Sequence, residues 1–185
     1  MRIVIPMTSC VEHTSSIDGS RVKVGKQKDL KEDSLINGYV TIIKNVGKPD
    51  EQILCKDQHN LLTTDGRDFF HAQVYMNLSA GTRGANFIAL TTDSTGAAAG
   101  DTTLPSEITT GGLERAVATT LTHVDDSNVT TLVKTFTASA THTAVQMSGT
   151  FNAASSGILA HEAVFTSVTL VSSDTLQVTW TLTLG

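Results

Sequence analysis

The 185-residue sequence is poor in the residues that would point to several common protein classes. It has two cysteines, three prolines, one tryptophan and 5% aromatic residues. Cys10 and Cys55 allow at most one disulfide, which excludes a disulfide-rich scaffold. A cytoplasmically made protein more often keeps such residues as small buried side chains, and a Cys10–Cys55 bond stays an open alternative. No apolar run approaches the roughly 20 residues that a spanning helix needs, so we expect no membrane partner.

Basic residues are scarce in the second part of the chain. Residues 1–76 contain ten Lys/Arg and ten Asp/Glu, whereas residues 77–185 contain three and eight, which gives the net charge of −5. A nucleic-acid-binding surface needs a clustered basic face, so we expect no nucleic-acid partner. The same part contains 24 Thr and 11 Ser. A surface solvated by hydroxyls rather than charges is typical of extracellular and particle-surface β proteins.

Alternating side chains are the main secondary-structure signal. From 175 to 184 apolar residues fall on one face and Thr or Gln on the other, which predicts a strand with Trp180 on its buried side. Further strands are expected over 115–124, 129–138, 144–151 and 157–171, the last broken near His161. A hairpin is expected over 37–56, and "FIAL" at 87–90 suits a strand buried on both sides. The prediction is a mostly β single domain over 38–185, an antiparallel β-sandwich or jelly-roll-like barrel.

Two segments depart from this pattern. Thr64 or Asp65 can cap a helix over about 66–77, in which Phe69, Phe70 and Val74 line one side. Residues 1–37 mix polar, charged and breaker-rich stretches and predict an extended N-terminal arm that gains order on a neighbouring subunit.

Candidate chemical sites are weak. "HEAVF" begins like a zinc-binding motif, but the second His is missing, so we interpret His161 and Glu162 as a polar strand edge. His123, Asp125 and Asp126 offer calcium-type ligands, yet "DDSN" between two strands is better read as a turn. We therefore predict no catalytic residues, no metal site, no cofactor and no enzymatic activity.

Residues 84–185 resemble small β-rich structural proteins encoded by tailed bacteriophages and related viruses. The matching segments are "IAL" (88–90), "GDTTL" (100–104), "EITTGGLERA" (107–116), "FNAASSGIL" (151–159), "VFTSV" (164–168) and "DTLQVTWTL" (174–182). The resemblance implies a virion component, assembled in the host cytoplasm and without catalytic residues.

The leading hypothesis is a capsid cement or decoration protein that binds non-covalently to the major capsid protein and associates with itself. A tail, head–tail connector or fibre-adaptor subunit is the alternative within virions. A carbohydrate- or receptor-binding module is the alternative from another class.

Overall fold

Two five-stranded antiparallel sheets form most of the described chain. The computed structural model describes residues 36–75, 84–125 and 127–184, with no side-chain detail at 71–75. The expected arm therefore lies outside the described residues, except for Ile36 and Asn37, which belong to the first strand. In chain order the elements are β1 Ile36–Lys44, β2 Gln52–His59, β3 Leu61–Leu62, α1 Thr64–Tyr75, β4 Phe87–Thr91, β5 Ala116–Val117, β6 Thr120–His123, β7 Val129–Thr137, β8 His142–Phe151, β9 Leu159–Leu170 and β10 Thr175–Leu184.

The strand orders show how the two sheets are joined. Sheet A runs β2-β1-β10-β7-β6, and sheet B runs β3-β9-β8-β4-β5. At one side the chain passes from β2 to β3 through Asn60 alone. At the other side it passes from β5 to β6 through Ala118 and Thr119. The Ala118 N–H donates to the carbonyl oxygen of Asn86, next to β4 of sheet B, and the Thr119 N–H donates to the carbonyl oxygen of Val133 in β7 of sheet A. The sandwich is thus closed by the chain at both sides, in agreement with the predicted fold class.

The main core lies between the sheets. Strand β10 occupies the centre of sheet A, paired with β1 and β7 over its whole length. Its alternate residues Leu176, Val178 and Trp180 are completely buried and pack in one cluster with Ile88 and Leu90 of sheet B. The predicted burial of Trp180 between the sheets is confirmed.

Sheet B has a second core on its outer side. Phe87, Ala89, Met147 and Phe151 pack there beneath the 92–113 connection, which contributes Leu104. All five residues of β4 are consequently buried, as expected for a strand covered on both faces. Sheet A has no such cover from the described residues and keeps one open face.

Three predicted boundaries need correction. Helix α1 begins at 64 rather than 66, because the hydroxyl of Thr63, not of Thr64 or Asp65, accepts the Gly66 N–H at 2.9 Å. The strand expected over 115–124 is two strands, β5 and β6, that belong to different sheets. The break expected near His161 is wrong, since β9 is continuous and the irregularities lie in its pairing with β8, where Ala144 has a φ of 57°.

Candidate functional site

The open face of sheet A is the candidate site, and we call it the threonine face. Val40, Trp180 and Leu132 point into the core. Because successive side chains of a strand point to opposite faces, the residues that lie between the core residues of these strands point outward. The outward residues of β1, β10, β7 and β6 are Asn37, Tyr39, Thr41, Ile43, Thr175, Gln177, Thr179, Thr181, Thr183, Val129, Thr131, Val133, Thr135, Thr137, Thr120 and Thr122. None of them is Asp, Glu, Lys or Arg.

The strand register arranges these side chains in rows across the sheet. Thr181 of β10 pairs with Tyr39 on one side and Thr131 on the other, and Thr131 pairs in turn with Thr122 of edge strand β6. Neighbouring members of a row stand about 4.8 Å apart, the spacing of adjacent strands. The row presents methyl and hydroxyl groups in a regular pattern over four strands.

Aromatic and charged groups appear at the β2 margin of the threonine face. The ring of Tyr39 is 38% exposed and meets the His59 ring edge to face, with centroids 5.4 Å apart. Next to this pair the Thr41 hydroxyl donates to the Asp57 carboxylate at 3.3 Å. The face is therefore neutral across its strands, and Asp57 places a charge at its β2 margin.

The threonine face offers hydroxyl and methyl groups to another surface. A hydroxyl can donate and accept hydrogen bonds, and the threonine methyl group buries apolar area at little desolvation cost. When another surface covers the threonine face, no charged side chain has to leave water. Depletion of charged residues is characteristic of the centre of protein interfaces.

His161 lies inside the sandwich and not at a strand edge, so that prediction is wrong. Strand β9 is flanked by β3 and β8, and the His161 side chain is fully buried against the rings of Phe70 and Trp180. Its Nδ1 lies 3.1 Å from the Thr150 hydroxyl oxygen. Burial lowers the pKa of His161 to about 4, so the ring is neutral at physiological pH and out of reach of any solute.

Glu162 points to the other side of sheet B and is also fully buried. Its carboxyl accepts the Ala98 N–H at 2.8 Å, which ties the 92–113 connection to the sheet. Burial, opposed by that hydrogen bond and aided by the nearby Asp101 carboxyl, raises the pKa of Glu162 to about 7. His161 and Glu162 thus lie on opposite sides of sheet B, His161 between the two sheets and Glu162 beneath the 92–113 connection. The described chain contains no cluster of three potential metal ligands.

The other residues weighed in the sequence have structural positions. Asp125 lies in the turn between β6 and β7, as predicted, and Asp126 lies outside the described residues. His123 ends β6 with its Nδ1 3.0 Å from the Val129 carbonyl oxygen. Cys55 is a free thiol whose pKa burial raises to about 11, and Cys10 lies outside the described part of the chain.

Arg115 joins two of the segments that carry the phage resemblance, a role that the sequence pattern does not reveal. Its guanidinium forms a two-pronged ion pair with Glu107 and lies over the Phe151 ring, 3.4 Å from the centroid. It also donates to the carbonyl oxygens of Ala153 and Ser156. Through these contacts Arg115 holds the 107–116 and 151–156 stretches together beside the second core.

The described residues also enclose a cavity. A cavity of about 280 Å³ lies at the β2–β3 crossing, where Asn60, Leu62 and Arg67 are among its lining residues. Among the described elements, no helix has the length and apolar character that crossing a membrane requires.

Comparisons with protein-family models, with curated proteins and with solved structures find no match to this chain.

Proposed function

We propose that this protein is a structural subunit of a virus particle, a capsid cement or decoration protein that binds non-covalently to major capsid subunits. The observation that carries the proposal is the uncharged threonine face, which spans four strands of sheet A. A face of this kind favours lasting contact with another protein surface.

The difference between the two sheets supports a single attachment side. The 92–113 connection covers part of the outer surface of sheet B, whereas no described segment covers the outer face of sheet A. A net charge of −5 keeps the rest of the molecule hydrated, while the threonine face loses no ionic solvation when it is covered. One face for binding and the others for solvent is the arrangement that a shell-coating subunit requires.

Repetition gives such a contact its strength. Many copies bound to equivalent sites on a shell gain avidity from neighbours, so each individual contact can be weak. The resemblance of residues 84–185 to structural proteins of tailed phages agrees with this assignment. It covers the strands β7 and β10 that provide much of the face.

The test places charge on the face and measures particle binding. Thr181→Lys together with Thr131→Lys sets two ammonium groups in the middle of the threonine face, on paired positions of β10 and β7. The matched control, Thr166→Lys with Ser167→Lys, adds the same charge at exposed positions of β9 in sheet B. Co-sedimentation with particles that lack the native subunit should fall at least about tenfold for the face variant and stay unchanged for the control.

Purified particles supply the second readout. If the particles of the virus that encodes this chain do not contain it, the proposal is wrong. A copy number close to that of the major capsid protein places it on the shell. A copy number typical of a ring or a fibre favours the tail or connector alternative.

One observation favours the carbohydrate- or receptor-binding alternative. The exposed Tyr39 ring and its neighbour His59 form an aromatic margin of the kind that stacks on sugar rings. Glycan-array binding that is lost in Tyr39→Ala would favour this function over the structural one.

A further inference from the structure

The four outer strands of the two sheets differ in how well they are protected against pairing with another chain. An unpaired strand edge is a template for a further strand, and proteins protect such edges by shortness, charge or bulges. Strands β3 and β5 are only two residues long. Strand β2 carries exposed Lys56 and Asp57 and is bulged, with Asp57 at a φ of 48°.

Strand β6 has none of these protections. Its four residues, Thr120, Leu121, Thr122 and His123, are all exposed and include no acidic residue, lysine, arginine or proline. Its register with β7 runs without a shift. Within the described chain β6 is therefore the one sheet edge that remains long enough, regular and uncharged.

Exposed apolar side chains surround this edge. Leu121 is 58% exposed, Val124 just beyond the strand is 64% exposed, and Val117 just before it is 48% exposed. Leu121 pairs with Leu132, which points into the core, so Leu121 lies at the margin of the core where a neighbouring strand would cover it. The edge thus offers both unpaired backbone groups and apolar area.

Charge indicates what the partner is. Two copies of a chain with a net charge of −5 repel each other over most of their surfaces. The residues of β6 and of the adjoining threonine face carry no formal charge, and Asp125 lies beyond them in the turn to β7, so two copies can bring these uncharged residues together with little like-charge repulsion. A neutral edge gives an oppositely charged partner no electrostatic advantage, whereas a two-fold axis brings the same neutral residues together from both sides.

We propose that two copies of this protein associate through antiparallel pairing of β6 with β6 across a two-fold axis. The two A sheets then form one continuous ten-stranded sheet, and the threonine faces of both copies join into a single surface. Leu121 and Val124 of each copy pack against the partner and lose their exposure to water.

The size of the contact sets its strength. Stable interfaces bury about 1,600 Å² in total, and pairing of two four-residue strands buries less than that. We therefore expect a weak dimer that forms at high protein concentration. The inference does not rest on the virion proposal, because it concerns the isolated protein and is tested without particles.

The primary experiment is analytical ultracentrifugation from micromolar to millimolar concentration. The wild-type protein should show a reversible monomer–dimer equilibrium. Leu121→Lys should raise the dimer dissociation constant at least about tenfold, because it places a like charge at the two-fold contact. Ile53→Lys is the matched control, since Ile53 on the opposite edge of sheet A is 57% exposed, and it should leave the constant unchanged.

Thermal unfolding of each variant tests whether a change in the dimer dissociation constant comes from impaired folding. We expect both variants to fold as the wild type does, because both altered side chains are mostly exposed. A strictly monomeric wild type would overturn the proposal, as would equal weakening by Ile53→Lys. Loss of the dimer on deletion of residues 1–30, with no effect of Leu121→Lys, would assign the contact to the N-terminal segment instead.

Cross-linking tests the two-fold geometry directly. In a Cys10→Ser, Cys55→Ser background, Thr122→Cys should form a disulfide-linked dimer under mild oxidation. Gln58→Cys, at an exposed position of β2, should not. A Thr122→Cys protein that still dimerises in the ultracentrifuge but forms no cross-link on oxidation would contradict β6–β6 pairing.

Discussion

At the scale of single residues, His161 and Glu162 make opposite contributions to the pH dependence of stability. Burial lowers the pKa of His161 from 6.5 to about 4, so the unfolded chain holds more protons at this site between those values. Its contribution to the free energy of unfolding therefore falls as pH decreases below 6.5. Burial raises the pKa of Glu162 from 4.5 to about 7, so the folded chain holds more protons there. Its contribution falls as pH increases above 4.5.

The two slopes overlap between pH 4.5 and 6.5 and cancel, which predicts a nearly flat stability profile there for the wild type. Glu162→Gln should uncover the His161 slope, with stability rising with pH by up to ~1.4 kcal/mol per unit. His161→Asn should uncover the opposite slope. Urea unfolding at half-unit pH steps measures both, and variant profiles parallel to the wild type would contradict the assignment.

The "HE" pair also shows where sequence reasoning failed at this scale. Two adjacent polar residues in an apolar strand resemble an edge, since exposed edges are where such residues are usually found. Their burial follows from neighbours far along the chain: β3 and β8 flank β9, and the 92–113 connection covers Glu162. No local pattern carries that information.

At the scale of elements, the alternation of apolar and polar residues predicted those strand positions and bounds that depend on the local sequence. Strand β10 has the predicted bounds because its alternation is unbroken and its partners cover its full length. The change of sheet between β5 and β6 was missed because it needs no breaker residue. Ala118 and Thr119 simply donate their N–H groups to carbonyls on opposite sides. Such a choice of partner depends on the whole fold.

Asn45 is the residue on which two turns of the sandwich depend. It has a φ of 51°, is 1% exposed, and its side-chain nitrogen donates to Asp50 at 2.7 Å and Asp174 at 2.9 Å. Its side-chain oxygen accepts the Thr175 N–H at 2.8 Å, so it joins the β1–β2 turn to the start of β10.

Asn45→Ala should lower the free energy of unfolding by about 2–4 kcal/mol, because it removes the side-chain hydrogen bonds to the Asp174 carboxylate and the Thr175 N–H. Alanine also tolerates the left-handed conformation at this position less well than asparagine does. Val46→Ala, at an exposed position of the same turn, serves as the control and should change stability by less than about 0.5 kcal/mol. Chemical denaturation measures both. An Asn45→Ala midpoint equal to that of the control would show that the turns hold without this residue.

At the scale of the whole molecule, the candidate site was only partly visible in the sequence. The outward Thr residues of β10 follow from alternation, and so does the apolar face that they oppose. Their alignment with Tyr39, Thr131 and Thr122 into rows depends on strand register across four strands. The absence of charge from the assembled face is likewise a property of the sheet order rather than of any one segment.

Deletion of the N-terminal segment tests whether the described domain folds without it. The chain divides into a unit of residues 1–31 and a unit of residues 32–185, and both described cores belong to the second unit. Deleting residues 1–30 should therefore leave a domain that unfolds cooperatively, as judged by circular dichroism and thermal denaturation. In the full-length chain "RIVIP" and "RVKVG" each supply a short alternating stretch that can add a strand to the sheet edge of a neighbouring subunit.

We expect the truncated protein to lose co-sedimentation with particles that lack the native subunit, because strand addition contributes backbone hydrogen bonds that the threonine face alone does not supply. The Thr166→Lys, Ser167→Lys protein, with its intact N-terminus and unaltered threonine face, is the binding control. If the truncated domain binds as tightly as the full-length chain, the N-terminal segment is not an attachment device. The threonine face must then hold the subunit on the particle by itself, and only the Thr181→Lys, Thr131→Lys protein should detach.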